Sequence, residues 1–459
     1  MKKTFIKKNH IIIVLAVFIV LYLLVALYFS KHYFFNTIIN GVDVSLRSYE
    51  DAAELFREYV RNYELNIIER NGSIEKISGN ELEMLYQGPR VMEVVYHRQN
   101  PLKWGISLFR IQNIFMDDLY RYSRQKLNQR ISELHCMKRH YIEPQNVAFQ
   151  YSNGSFLVIP EVYGDKIIKG KLISEIHTSI ANGMKTLDLN EKNCYENPRY
   201  TVHSQEAIRA KKTLDHYVSA KIVYQFGSRS EVLNGRLINR WLSLDDAMNV
   251  KINKRAIINY INILSKKYDT VGVDRNFITS YGRTVVVHGG LYGWKINQEA
   301  EVAALEEIIK QGITVEKEPE YVQKAVSREE NDIGDTYVEV NITRQHLWFY
   351  IDGKLVCESN VVTGNPNRGF ATAVGTYMLV YKQKGATLTG PGYSAEVDYW
   401  MPFYGSMGLH DARWRHSFGG EIYKRRGTHG CVNLPYHIAE TIFHKIEEGT
   451  PIVLYEEGI

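Results

Sequence analysis

Gly405-Ser406-Met407-Gly408-Leu409-His410, then seventeen residues, then Thr428-His429-Gly430-Cys431-Val432-Asn433: these two stretches decide how the C-terminal part of the chain is read. A thiol stands on a glycine-flanked turn, with imidazoles at His429 and His410 to take its proton. An unperturbed thiol, with a pKa of about 8.5, is only a few per cent thiolate at neutral pH, so a histidine acting as base makes it a nucleophile. The surrounding sequence alternates in short apolar runs at 337–342, 346–351, 354–362 and 375–382, with turn signals at Asp352-Gly353 and Thr363-Gly364-Asn365-Pro366. That texture predicts a mostly β domain. A helix is expected over 436–448, started by Pro435, carrying Ile438, Ile442, Phe443 and Ile446 on one face and closed by Gly449. Its N-terminal end points back toward Cys431, where its dipole favours thiolate by about 0.3–1 kcal/mol.

Upstream, 316–335 is charged, holds Pro319 and ends near Gly334, and reads as a linker. Before it, one pattern occurs twice. Strand-like 65–70 and 221–226 are each followed by a glycine turn, then by helices expected at 115–134 and 254–268. Hairpins follow at 147–159, turning at Asn153-Gly154, and at 277–287, turning near Tyr281-Gly282. Tyr163-Gly164-Asp165-Lys166-Ile167 and Tyr292-Gly293-Trp294-Lys295-Ile296 share four of five residues, and each precedes a helix, at 172–181 and 299–310. The order predicts a duplicated α+β module spanning 31–195 and 196–315. Ser48 is placed to cap a helix carrying Ala52, Leu55, Phe56 and Val60.

At the other end, 11–30 begins as an uncharged apolar run preceded by Lys2, Lys3, Lys7 and Lys8. Its length suits a bilayer-spanning helix, and the lysines put residues 1–10 in the cytoplasm and the body outside. A cleaved signal peptide is the rival, disfavoured because no small-x-small site follows in Phe29-Ser30-Lys31-His32. Four cysteines in 459 residues are too few for a disulfide framework. Cys136 and Cys194 are candidates to pair, Cys357 reads as a buried small hydrophobe, and Cys431 is left as the reactive one. The net charge of +5 suits a polyanionic cell envelope, and with no dense basic patch nucleic acid is not an expected partner.

The histidine, the spacer and the Thr-His-Gly-Cys-apolar-Asn segment resemble the signature of L,D-transpeptidase catalytic domains of the YkuD type, over 336–457. The resemblance implies a cysteine acyltransferase, without metal or cofactor, acting on peptidoglycan peptide stems. In that family the cysteine attacks the third residue of a tetrapeptide stem, expels the terminal D-alanine and passes the acyl group to a neighbouring stem's amine. Carried over, Cys431 is the nucleophile, His410 the general base, His429 a local partner, and the backbone carbonyl of Asp411 orients the base. Gly430 is expected to offer an oxyanion amide. Thr428, Asn433, Arg426, Tyr404 and Trp414 are expected around the substrate, with Arg425 a solvated neighbour. The family's Thr-Pro-x-Gly turn appears as Thr372-Ala373-Val374-Gly375, without its proline.

The two upstream modules resemble the domains, held to bind peptidoglycan, that precede this catalytic domain in membrane-anchored Gram-positive enzymes. The expected fold is therefore multidomain: transmembrane helix, two α+β modules and a mostly β catalytic domain. Alternatives are an L,D-carboxypeptidase that passes the acyl group to water, and a non-catalytic wall-binding protein. A sortase-like site lacks its arginine after the cysteine, and His410, His416, His429 and Cys431 have no familiar metal-ligand spacing.

Overall fold

The computed structural model describes residues 2–116, 119–390 and 393–457. Its first element is the helix Lys2–Tyr28, whose segment His10–Tyr28 has a mean hydropathy of 3.2 and is 6% buried. Among the described residues it alone is long and apolar enough to cross a membrane, a property that signal sequences share. The chain divides into two compact units: residues 1–148 with 158–204, and residues 149–157 with 205–459.

The first unit is built around a three-stranded sheet. Its central strand, Glu64–Ile68, runs antiparallel to Ile74–Ser78 and parallel to Thr186–Asp188. Three helices accompany it: Tyr49–Arg61, Arg124–Glu133 and Lys169–Ala181. Ser48 caps the first of these by accepting the Asp51 amide, and Ala52, Phe56 and Val60 turn into the core. A helix had been expected to begin near 115. Instead Tyr120–Arg121 is a strand, Tyr120 is buried, and Ser123 accepts the Lys126 amide and starts the helix at Arg124. Cys136 and Cys194 are both buried free thiols, so the expected pairing is absent.

In the second unit the strand Lys221–Phe226 lies between antiparallel Arg229–Leu233 and parallel Thr314–Lys317. The helices Gln205–Val218, Lys254–Tyr268 and Gln298–Gln311 follow the same order as those of the first unit. The first unit adds a segment without a counterpart there: the helix Pro89–Arg98, the 3-10 helix Pro101–Leu108 and the strand Gln112–Ile114.

Residues 316–335 are not a free linker. Thr314–Lys317 completes the module's sheet and Tyr321–Gln323 pairs with Lys295–Ile296. The charges that suggested solvation are matched instead: Lys317 Nζ lies 2.9 Å from the fully buried Glu301, and Arg275 lies 2.7 Å from Asp332. Arg328 stacks 3.9 Å from the centre of the Trp294 ring. Phe277, Val287, Tyr292 and Ile333 then share a small core with Val453 and Tyr455 of the C-terminal domain, which ties the module to that domain. At the junction Gly290 bridges to Thr376, and a Cβ on Gly290 would lie 2.1 Å from the Thr376 carbonyl oxygen, so only glycine fits.

The C-terminal domain consists of two sheets. The five-stranded sheet has the order Lys354–Asn360, His346–Ile351, Tyr337–Asn341, Pro451–Tyr455, Gly375–Met378. The four-stranded sheet has the order Gln383–Gly390, Tyr393–Tyr404, Met407–Asp411, Val432–Leu434. Val338, Val340, Leu347, Phe349, Leu409, Val432 and Leu434 fill the core with Ile438 and Ile442 of the helix Tyr436–Lys445. The strands Met407–Asp411 and Val432–Leu434 are parallel neighbours, and this pairing sets up the site.

Candidate active site

The register pairs His410 with Asn433 and Leu409 with Val432. Side chains alternate along a strand, so Cys431, two residues before Asn433, falls on the same side as His410. Both line a cleft of 520 Å³, together with Trp414, Arg415, Thr428, His429, Asn433 and Glu396. The imidazole is 4% exposed, and its Nδ1 donates to the Asp411 carbonyl oxygen at 2.8 Å. That bond fixes the tautomer and leaves Nε2 as the basic nitrogen. The Asp411 carboxylate is used elsewhere, accepting the amides of Asp398 and Tyr399 and so locking the neighbouring strand.

The turn around Cys431 is held from several directions. The Thr428 amide donates to Thr363 O, and the Asn365 amide donates to Thr428 O. The Thr428 hydroxyl donates to Cys431 O at 2.6 Å and accepts the Gly430 amide at 3.0 Å. Thr372 Oγ1 donates to Gly430 O at 2.8 Å. Gly430 has φ of +120°, and a Cβ there would lie 2.9 Å from the Met407 side chain. Each tether satisfies a backbone group of the turn, and together they hold the sulfur's place in the cleft.

In the free protein neither reactive group is charged at neutral pH. Burial pushes the Cys431 thiol up to about 11, offset in part by the Gly408 amide. Burial also lowers the His410 pKa below its ordinary value, against the pull of the Asp411 carbonyl. One pKa unit is about 1.4 kcal/mol, so the loss of hydration at Cys431 outweighs the expected helix-dipole effect. The thiol donates to Ser406 O at 3.4 Å rather than to the imidazole. Apo sites often hold such pairs loosely until substrate arrives.

Of the expected substrate contacts, Thr428, Asn433 and Trp414 line the cleft, as does His429, expected as a local partner of the thiol. The His429 ring meets the edge of Phe370 at 4.5 Å, and Trp414 lies 6.1 Å from His410. Three other expected residues are placed differently. Tyr404 lies outside the cleft lining and packs on Tyr377 at 4.9 Å. Arg426 is exposed on the short helix Ile422–Arg426, also outside the lining. The Gly430 amide donates to the Thr428 hydroxyl. Two residues were missed. Thr372 had been read only as part of a turn. Arg415, the fifth residue after His410, lines the cleft with its buried Nε unpartnered.

Comparison with known families accords with this geometry. The profile of the YkuD family, the L,D-transpeptidase catalytic domain, matches residues 335–454. The C-terminal domain belongs to the L,D-transpeptidase family. The family described as "Putative peptidoglycan binding domain" matches twice upstream, at 106–188 and 200–318. Among solved structures, the catalytic domain of an Enterococcus faecium L,D-transpeptidase is 38% identical, covering 26% of this chain and 97% of that one, with a TM-score of 0.25. A crystal structure of the Enterococcus faecium enzyme is 29% identical over 55% of this chain and 100% of that one, with a TM-score of 0.45. A Mycobacterium tuberculosis L,D-transpeptidase is 21% identical over 27% of this chain and 58% of that one, with a TM-score of 0.25. No curated protein sequence matches the chain. The L,D-transpeptidase domain thus contains both the thiol and the imidazole singled out above.

Proposed function

We propose that this protein is an L,D-transpeptidase, anchored in the cell membrane by residues 11–30, that forms 3-3 cross-links between peptidoglycan stems outside the cell. The Cys431 sulfur attacks the carbonyl carbon of the third residue of a tetrapeptide stem, while His410 Nε2 takes the thiol proton. The tetrahedral intermediate collapses, the bond to the terminal D-alanine breaks, and the imidazolium returns its proton to the departing amine. An amine of a second stem then loses its proton to His410 and attacks the thioester, forming the new amide and restoring the thiol. The Asp411 carbonyl holds the imidazole in position, and the Cys431 amide serves the oxyanion in place of Gly430's.

The observation that carries this reading is the convergence of Cys431 and a tautomer-fixed His410 in one cleft of the L,D-transpeptidase domain. A neutral thiol beside a neutral imidazole suits proton transfer during attack, with no thiolate standing exposed to oxidation between turnovers. We read the two upstream modules as copies of one unit, because their sheets share strand order and sense, and as the part that meets the wall. The test is to incubate the full chain with disaccharide-tetrapeptides and analyse the products by mass spectrometry. Dimers with loss of one alanine are expected. Tripeptide stems alone would make it a carboxypeptidase, and no change in the stems would reject both activities.

A further inference from the structure

Arg415 shows a feature that the acyl-transfer steps leave unused. Its side chain is half-buried in the wall of the cleft that holds Cys431 and His410, and its Nε finds no hydrogen-bond partner. No carboxylate among the described residues pairs with it. The acidic residue lining the same cleft, Glu396, is exposed and makes no ion pair with it. Burial disfavours the charged guanidinium, and the nearby Arg426 disfavours it further. Arginine nevertheless stays protonated at neutral pH, because its ordinary pKa lies far above that. A fixed cation without an ion-pair partner on the wall of a cleft is complementary to an anion, and a guanidinium is shaped to receive a carboxylate through two parallel N–H bonds.

We infer that Arg415 is a substrate-binding residue that holds a carboxylate of the donor stem while Cys431 attacks. The inference rests on the proposed acyl transfer and adds a specificity to it. Bound substrate supplies the anion that the fold withholds, so the guanidinium is satisfied only in the complex. Arg426 acts at longer range, raising the positive potential at the cleft without touching the stem. Two carboxylates of a lysine-containing tetrapeptide are candidates: that of the terminal D-alanine and that of the second residue.

The test compares three synthetic disaccharide-tetrapeptides with the full chain in detergent: both carboxylates free, the terminal one amidated, and the second-residue one amidated. Acylation is followed by intact mass, and affinity by calorimetry on a Cys431→Ser background. Amidating the carboxylate that Arg415 holds is expected to lower kcat/KM for acylation about 10- to 100-fold, mostly through KM. Arg415→Gln is expected to lose the same factor on the free donor and nothing further on that amide, with Arg415→Lys recovering part of the loss. The amide that reproduces the loss identifies the carboxylate. Equal loss by Arg415→Gln on all three donors, no loss on any, or wild-type indifference to both amidations would overturn the inference while leaving acyl transfer intact. Thermal unfolding of both Arg415 variants separates a folding defect from a binding one. If the wild-type chain acylates with no donor, the transpeptidase reading itself falls and takes this inference with it.

Discussion

Arg275 is buried and Arg415 half-buried, and the fold treats them in opposite ways. At the junction between the second module and the catalytic domain, Arg275 donates through Nε and one terminal nitrogen to both oxygens of Asp332, and its remaining bonds go to the carbonyls of Val273, Thr270 and Tyr292. In the cleft, Arg415 keeps a buried Nε without a partner, close to a thiol and an imidazole that burial holds neutral. Native structures satisfy nearly all buried polar groups, and an arginine on a cleft wall without an ion-pair partner fits the inference that Arg415 receives an anion. The junction is complete without a ligand. The cleft is not.

The largest effect expected is at the thiol. Cys431→Ser should reduce acylation about 1000-fold or more without lowering the unfolding temperature, measured by intact mass and calorimetry, because serine is a far weaker acid and the site is not part of the core. Next is the junction, where the cost should fall on stability instead. Arg275→Met leaves the Asp332 carboxylate buried and unpaired and should destabilise the chain by about 3–5 kcal/mol in denaturant titration. The double variant Arg275→Met with Asp332→Leu should recover most of that. If the single variant instead spared stability and reduced acylation, the contrast between the two arginines would fail.

A smaller effect is expected at Thr372. Thr372→Val removes the bond to Gly430 O and the acceptor of the Gly364 amide while keeping the side chain's shape, and should lower kcat about 10-fold, with a stability loss of about 2 kcal/mol. The smallest signal is the pH dependence. With His410 as the proposed base and its pKa lowered, acylation should be level through neutral pH and fall only below about 6.5. The sign for stability is the same. The unfolded chain takes up the His410 proton first, so this contribution is present above about 6.5 and is lost as pH falls through the lowered folded value. Alkylation of Cys431 in the free chain should rise with pH toward about 11, well above an unperturbed thiol.

The placement of the proposed pair in one cleft follows from local determinants: the Thr428–Asn433 segment runs from a turn into a strand, and His410 lies on the strand paired with it. The Asp411 carbonyl follows from adjacency alone. What escaped depends on contacts across long stretches of chain. Thr372 reaches Gly430 across 58 positions, and nothing in a Thr-Ala-Val-Gly turn discloses it. Residues 316–335 read as a solvated linker because composition counts charges without showing that Lys317 and Asp332 meet buried partners. Arg415 and Arg426 are alike in sequence, and only the fold shows that the first lines the cleft and the second does not. The Gly430 amide donates to the Thr428 hydroxyl two residues away, a contact that a glycine-flanked turn does not disclose.

The central claim is that the cleft opens a donor stem by acyl transfer to Cys431, and peptide mapping after brief incubation with a disaccharide-tetrapeptide tests it most directly. The expected result is one adduct on Cys431, equal in mass to the donor less D-alanine and absent from Cys431→Ser. An adduct on another residue, or an unmodified chain beside unchanged donor, would contradict it.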